Sequence, residues 1–147
     1  MDENFWKSCV LEESLKILGL SKEVDGILLE RELYGGGGRY SHGCFCDHCF
    51  YKFLEYVGSS KPKVPTNARY KWLAAKGYIE EYYCWAEALV HDMFKYYTEK
   101  LLALKEDLVV GFYDGGDLND FDWYIRGLMR GVNDAGTRLL ILDPVTY

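Results

Sequence analysis

Val24-Asp-Gly-Ile-Leu-Leu-Glu-Arg-Glu32 decides the fold. Its apolar centre, Ile27-Leu-Leu29, is short and unbroken, the pattern of a buried strand, and Glu30-Arg-Glu32 marks the end at which that strand turns polar. The pattern recurs at Leu108 to Tyr113, which runs into Asp114-Gly-Gly-Asp117, and at Leu139 to Leu142, which runs into Asp143-Pro-Val-Thr-Tyr147. Helical periodicity fills the intervals. Phe5, Trp6, Cys9, Val10, Ile17 and Leu18 place a first helix from Asp2 or Asn4 to Leu18, with Gly19 as its stop. Asp47 caps a short helix carrying Phe50, Phe53, Leu54 and Val57, and Gly58 ends it. Residues 58–67 form a loop, and a long helical stretch follows, interrupted near Gly77 and continuing from Ile79 to about Glu106. Asn119 or Asp120 caps a last helix with Ile125, Leu128, Met129 and Val132 on one face and Gly136 at its end.

Alternation of this kind specifies an α/β fold of parallel strands with crossover helices, in a single domain. The chain has 147 residues, so one copy cannot close an eight-stranded β/α barrel, which takes about 250. About three strands of a partial (β/α)8 TIM-barrel-like segment are what it encodes. Such a segment exposes two unpaired strand edges, so self-association or a complementary barrel fragment is expected. A start on a helix and an end on a strand tip fit a piece of a longer repeat.

Seventeen basic against 23 acidic side chains leave a net charge of −6, and the isoelectric point is about 5.1. No basic stripe exists for nucleic acid, since Lys61 and Lys63 are two charges in a loop. No apolar run reaches the roughly 20 residues of a membrane span, and the acidic start is unlike a secretory signal. A cytoplasmic protein is the simplest expectation.

Chemistry-bearing residues collect at the strand ends, where α/β folds build their sites: Glu30, Glu32 and Tyr34; Asp114 and Asp117; Asp143 and Tyr147. Glu30 and Glu32 share one strand face, about 6.6 Å apart, so each raises the other's pKa unless Arg31 or a neighbouring lysine neutralises them. Cys44-Phe-Cys46-Asp-His-Cys49 places three of the five cysteines within six residues, a spacing suited to Zn²⁺ rather than to a disulfide framework. A metal-free set of small buried cysteines is the alternative. The fourth ligand is open among Cys9, His42 and His48, with His42 the freest and the His48 ring directed elsewhere. Cys84 reads as core and His91 as surface or core. Gly35 to Gly38 lack the pattern of a phosphate loop, and Asp114, Asp117 and Asp120 lack that of a calcium loop.

Asp25-Gly-Ile-Leu-Leu-Glu-Arg-Glu32-Leu-Tyr-Gly35, followed by Cys44-Phe-Cys46-Asp-His-Cys49-Phe-Tyr-Lys-Phe53-Leu, resembles the middle of glycoside-hydrolase-like β/α barrels, in the style of zinc-containing β-galactosidases and related hydrolase-like proteins. The resemblance implies that Cys44, Cys46 and Cys49 are zinc-loop cysteines. It also implies that Glu32 is the acid/base glutamate ending the fourth strand, with Glu30 the other possibility because Arg31 stands where the family has Asn. Asp114 and Asp143 would then line the same cleft on the fifth and sixth strands, and Tyr34 and Tyr147 would contact carbohydrate. The family's nucleophile lies on a seventh strand, beyond Tyr147. A noncatalytic zinc-stabilised α/β binding module is the competing expectation.

Overall fold

The computed structural model describes residues 6–31, 44–114 and 122–142. A π-helical turn, Trp6–Leu11, leads directly into α1, Glu12–Leu20. The remaining elements are β1 (Gly26–Arg31), α2 (Asp47–Tyr56), a 3-10 turn (Thr66–Ala68), α3 (Arg69–Ala75), α4 (Ile79–Leu102), β2 (Val109–Asp114), α5 (Asp122–Asp134) and β3 (Leu139–Leu142). The three strands form one parallel sheet in the order β1-β2-β3. The α/β class, the three strands and their parallel sense thus match the sequence reading.

Several boundaries differ from expectation. The first helix runs through Gly19, a helix-compatible residue with nothing within 4 Å of a Cβ built on it, so glycine alone does not stop it. Gly77 does break the long helical stretch: its φ of +73° belongs to the left-handed region that side chains avoid. Positive φ also marks Gly58 and Gly136 just beyond α2 and α5, as helix-ending glycines require. The long helix ends at Leu102 rather than Glu106. Asp47 is not the cap of α2; Cys46 occupies that position and Asp47 is the first helical residue.

Two hydrophobic clusters share α4. The larger one joins Val90, Phe94 and Leu101 of α4 to Val110 and Phe112 of β2 and to Leu128 and Val132 of α5, with Ile27, Leu29 and Leu139 packed against it. α1 is tied to it where the Ser14 and Tyr97 hydroxyls hydrogen-bond at 2.8 Å. The smaller cluster holds Phe50, Phe53 and Leu54 of α2, Leu73 of α3 and Tyr82 of α4.

α5 lies unusually close on α4. A Cβ added at Gly127 would sit 2.5 Å from the Glu87 carbonyl oxygen, and one at Gly131 would sit 2.4 Å from that of His91. The seam is Gly127, Leu128, Gly131 and Val132, flanked by Arg126 and Arg130, which both bind the Glu87 carboxylate at 2.9 and 3.0 Å. Met129, expected on the packing face, is exposed, because the glycines rather than the larger apolar side chains set the line of contact.

The helices cover one face of the sheet. Ile27, Leu29, Val110, Phe112 and Leu139 point into the large cluster, whereas Leu28 is 48% exposed, Val109 45% and Leu140 49% on the opposite face. Parallel sheets are normally covered on both sides, so among the described residues this sheet is half-dressed. No helix of the described residues is long and apolar enough to cross a membrane.

Candidate metal centre

Cys44 and Phe45 lead in non-helical conformation to Cys46, whose φ and ψ of −61° and 168° place it at the N-terminal boundary of α2. The Phe50 N–H then donates to the Cys46 carbonyl at 2.9 Å, closing the first helical turn. Cys46 and Cys49 are one turn apart and so fall on the same side, while the extended approach brings Cys44 back to them. The three Sγ atoms lie within 4.8 Å of one another. Tetrahedral thiolate coordination with bonds of about 2.3 Å spaces sulfurs about 3.8 Å apart, so a small contraction of this cluster suffices to hold a metal ion.

The thiols are already electrostatically paired. The Cys49 S–H donates to Cys44, holding the Cys44 thiol well below its ordinary pKa, and the same bond pushes Cys49 up. A metal ion bound there would displace the thiol protons. None of the five cysteines is in a disulfide.

Two buried side chains brace the loop from below. The Tyr82 hydroxyl, from α4, donates to the Cys44 carbonyl. Burial, followed by the nearby thiols, pushes the Tyr82 phenol far up, so it remains a neutral donor. Arg69, the first residue of α3 and only 4% exposed, donates to the Phe45 carbonyl at 2.7 Å and the Val64 carbonyl at 3.0 Å. Its remaining nitrogen reaches Asp47 Oδ1 at 2.5 Å, and its guanidinium carbon lies 4.9 and 5.4 Å from the ring centroids of Phe50 and Tyr51. Phe45 itself stacks on Tyr82, with centroids 5.0 Å apart. Two consecutive carbonyls between the first two cysteines are thus fixed by donors from two helices.

Of the alternatives for a fourth ligand, Cys9 is exposed beside Ser8 and does not join the cluster. His48 faces a cavity and does not join it either, in keeping with its expected direction. His42 lies outside the described residues. Cys84, read as core, is exposed on α4, because the buried stripe there runs through Tyr82, Ala86 and Val90.

The candidate acids are placed only by their backbone. Glu30 is registered with Tyr113 and Arg31 with Asp114, so the ends of β1 and β2 lie side by side. Glu32, Tyr34, Asp117, Asp143 and Tyr147 fall outside the described residues. Arg69 and Tyr82 carry no mark in the sequence that sets them apart as braces: an arginine opening a helix reads as solvated, and one tyrosine among 13 reads as packing. Comparison with protein-family models, with curated proteins and with solved structures finds no match to this chain.

Proposed function

We propose that the chain is a zinc-stabilised segment of a glycoside-hydrolase-like β/α barrel that acts on or binds carbohydrate. The observation that carries the proposal is the convergence of Cys44, Cys46 and Cys49 on one point, braced by Arg69 and Tyr82, immediately downstream of the strand that carries Glu30. A soft, thiolate-rich donor set favours Zn²⁺ over the hard cations, and its placement against the smaller core favours a structural role. The barrel half of the proposal is supported by the strand order β1-β2-β3 with helices on a single face. Among the described residues it leaves an apolar face of the kind that barrels turn inward, and two open edges for the strands of a complementary fragment or a second copy.

In this reading Glu32, or Glu30, is the proton donor to the glycosidic oxygen, and Asp114 or a carboxylate of the added strands is its partner. A retaining enzyme would need the two carboxylates about 5 to 5.5 Å apart. Tyr34, Asp143 and Tyr147 would contact the sugar.

The metal is tested by elemental analysis and by melting with and without chelator: one bound zinc per chain and a lower Tm on its removal are expected, and a metal-free protein whose Tm chelator leaves unchanged overturns the zinc assignment. Catalysis is tested in the assembled protein with aryl glycosides. Glu32→Gln, with Glu30→Gln beside it, should abolish turnover in one of the two variants; undiminished turnover in both overturns the assignment.

The second reading, a noncatalytic zinc-stabilised binding module, is favoured by one observation. The cysteine loop packs on the aromatic cluster of Phe50, Phe53 and Tyr82, away from the sheet core, as a structural staple would. Retained zinc with no hydrolysis by any assembled form would select it.

A further inference from the structure

Cys44, Cys46 and Cys49 are all in the thiol form, and their sulfurs lie within 4.8 Å of one another, near enough for side-chain rotation to bring two of them to bonding distance. They differ in two respects that bear on oxidation. Cys44 and Cys46 are exposed, whereas Cys49 is 5% exposed. Cys44 and Cys49 are also in direct contact, because the Cys49 S–H donates to Cys44. Protein groups alone hold the backbone on both sides of that contact. The Tyr82 hydroxyl anchors the Cys44 carbonyl, and Cys49 sits in the first turn of α2, which the Phe50 N–H closes on the Cys46 carbonyl at 2.9 Å. An exposed thiol held against a buried one is the arrangement in which an oxidant attacks the first and the second resolves the product. Positioning of the pair favours closure within the chain over reaction between chains. Cys9 and Cys84 are exposed as well but stand outside the cluster.

We propose that Cys44 and Cys49 form a reversible disulfide under oxidation by a peroxide, which makes the cysteine loop a redox-modification site. The exposed Cys44 sulfur attacks one peroxide oxygen, the O–O bond breaks, the other oxygen leaves as water, and Cys44 becomes a sulfenic acid. The Cys49 sulfur then displaces the sulfenic oxygen, which takes the Cys49 proton and leaves as a second water as the S–S bond forms. Two electrons pass from the sulfur pair to one peroxide. A dithiol reductant reverses the step through a mixed disulfide and is itself oxidised to a disulfide. The bond needs no metal. It also excludes one, since it consumes two of the three thiols, and that consequence alone rests on the metal reading above.

The test uses the full chain, reduced and treated with chelator, then exposed to one equivalent of hydrogen peroxide. Peptide mapping by mass spectrometry after alkylation should find a Cys44–Cys49 bond within one chain, with Cys46 alkylated, and dithiothreitol should restore all three thiols. Thiols titrated in denaturant should fall by two from the five per chain. Cys46→Ser, and a double variant with Cys9→Ser and Cys84→Ser, should still form the bond. Cys49→Ser should not, and should leave Cys44 as a sulfenic acid that dimedone labels. The map of the wild-type chain stands whether or not a variant folds: a Cys46–Cys49 bond, sulfinic or sulfonic acids without a disulfide, or disulfides only between chains overturns the proposal. Zinc uptake separates this inference from the metal reading. The reduced chain should bind zinc and the oxidised chain should not; zinc bound by a chain that never closes the disulfide sinks the proposal alone, and a disulfide in a chain that takes no zinc when reduced sinks the metal reading alone.

Discussion

Arg69 is the residue whose replacement tests the metal centre most sharply. Lysine at 69 keeps the charge but has a compact ammonium in place of the planar fork, so it cannot reach the Val64 and Phe45 carbonyls and Asp47 together. Its link to Asp47 contributes little, because that carboxylate is 79% exposed and screened by water. The two carbonyl bonds matter more. A hydrogen bond from a charged donor is worth roughly 1.5 to 3 kcal/mol, and a carbonyl orphaned on burial costs about as much, so loss of one or both costs about 3 kcal/mol. For a chain of this length that is a fall in Tm of about 10 °C. Metal affinity should fall as well, by about 10- to 100-fold, because the Phe45 carbonyl lies between two of the three ligands and its release loosens the loop. Chemical denaturation of the metal-free protein reads the first effect, and competition with a chromophoric chelator reads the second. Arg69→Lys with unaltered metal affinity would show that the cluster needs no brace; unaltered stability would show that the buried guanidinium contributes nothing net.

Two further predictions concern the α4–α5 seam. Gly131→Ala drives a methyl into the His91 carbonyl at 2.4 Å and should destabilise by about 3 kcal/mol, whereas Gly19→Ala, with nothing within 4 Å, should stabilise by about 0.5 to 1 kcal/mol; thermal melts of the two that shift alike would refute the close approach. His91, which joins Asp92 and Asp134, has its pKa raised, chiefly by the hydrogen bond to Asp134, and Asp134 has its own lowered by the same bond. The histidine's contribution is complete below its unfolded value near 6.5 and is lost as pH rises through the higher folded one, while that of Asp134 is complete above the carboxylate's unfolded value near 4 and is lost in acid. Wild-type stability, read from urea unfolding, should therefore decline relative to His91→Gln as pH rises above about 6.5, and parallel profiles would dismiss the pair.

What the sequence made legible follows from the range of the physics involved. The strands are short apolar runs bounded by polar tips, a local pattern, and all three lie where that pattern puts them. Cys44, Cys46 and Cys49 are likewise local: their convergence needs only one helical turn and an extended approach. Arg69 is different, because its role depends on a carbonyl 24 residues away. Asp47 has the side chain of a helix cap, and only the arrival of Arg69 makes it an ion-pair partner instead. Gly127 and Gly131 were invisible to a reading of apolar stripes, since what they contribute to the seam is the absence of a side chain. The sheet face that the described residues leave open could not be read at all, as Leu28 and Leu140 are as apolar as the residues that face the core.

These features together explain what a metal ion at the three cysteines would do. Between β1 and α4 the chain leaves the sheet, and the part described there, residues 44–78, builds its own small core on α4. That core buries Phe50, Phe53, Leu54 and Leu73 against Tyr82 and is much smaller than the one under the sheet. Burial on that scale sets little hydrophobic gain against the entropy of ordering two short helices and their loops. Small units of this kind are commonly held by a staple, either a disulfide or a metal. Here Arg69 and Tyr82 would extend the reach of such a staple, since one ties the cysteine loop to α3 and the other ties it to the long helix that also carries the main core. Metal bound at the three cysteines would therefore order the excursion as a whole and, through α4, couple it to the sheet.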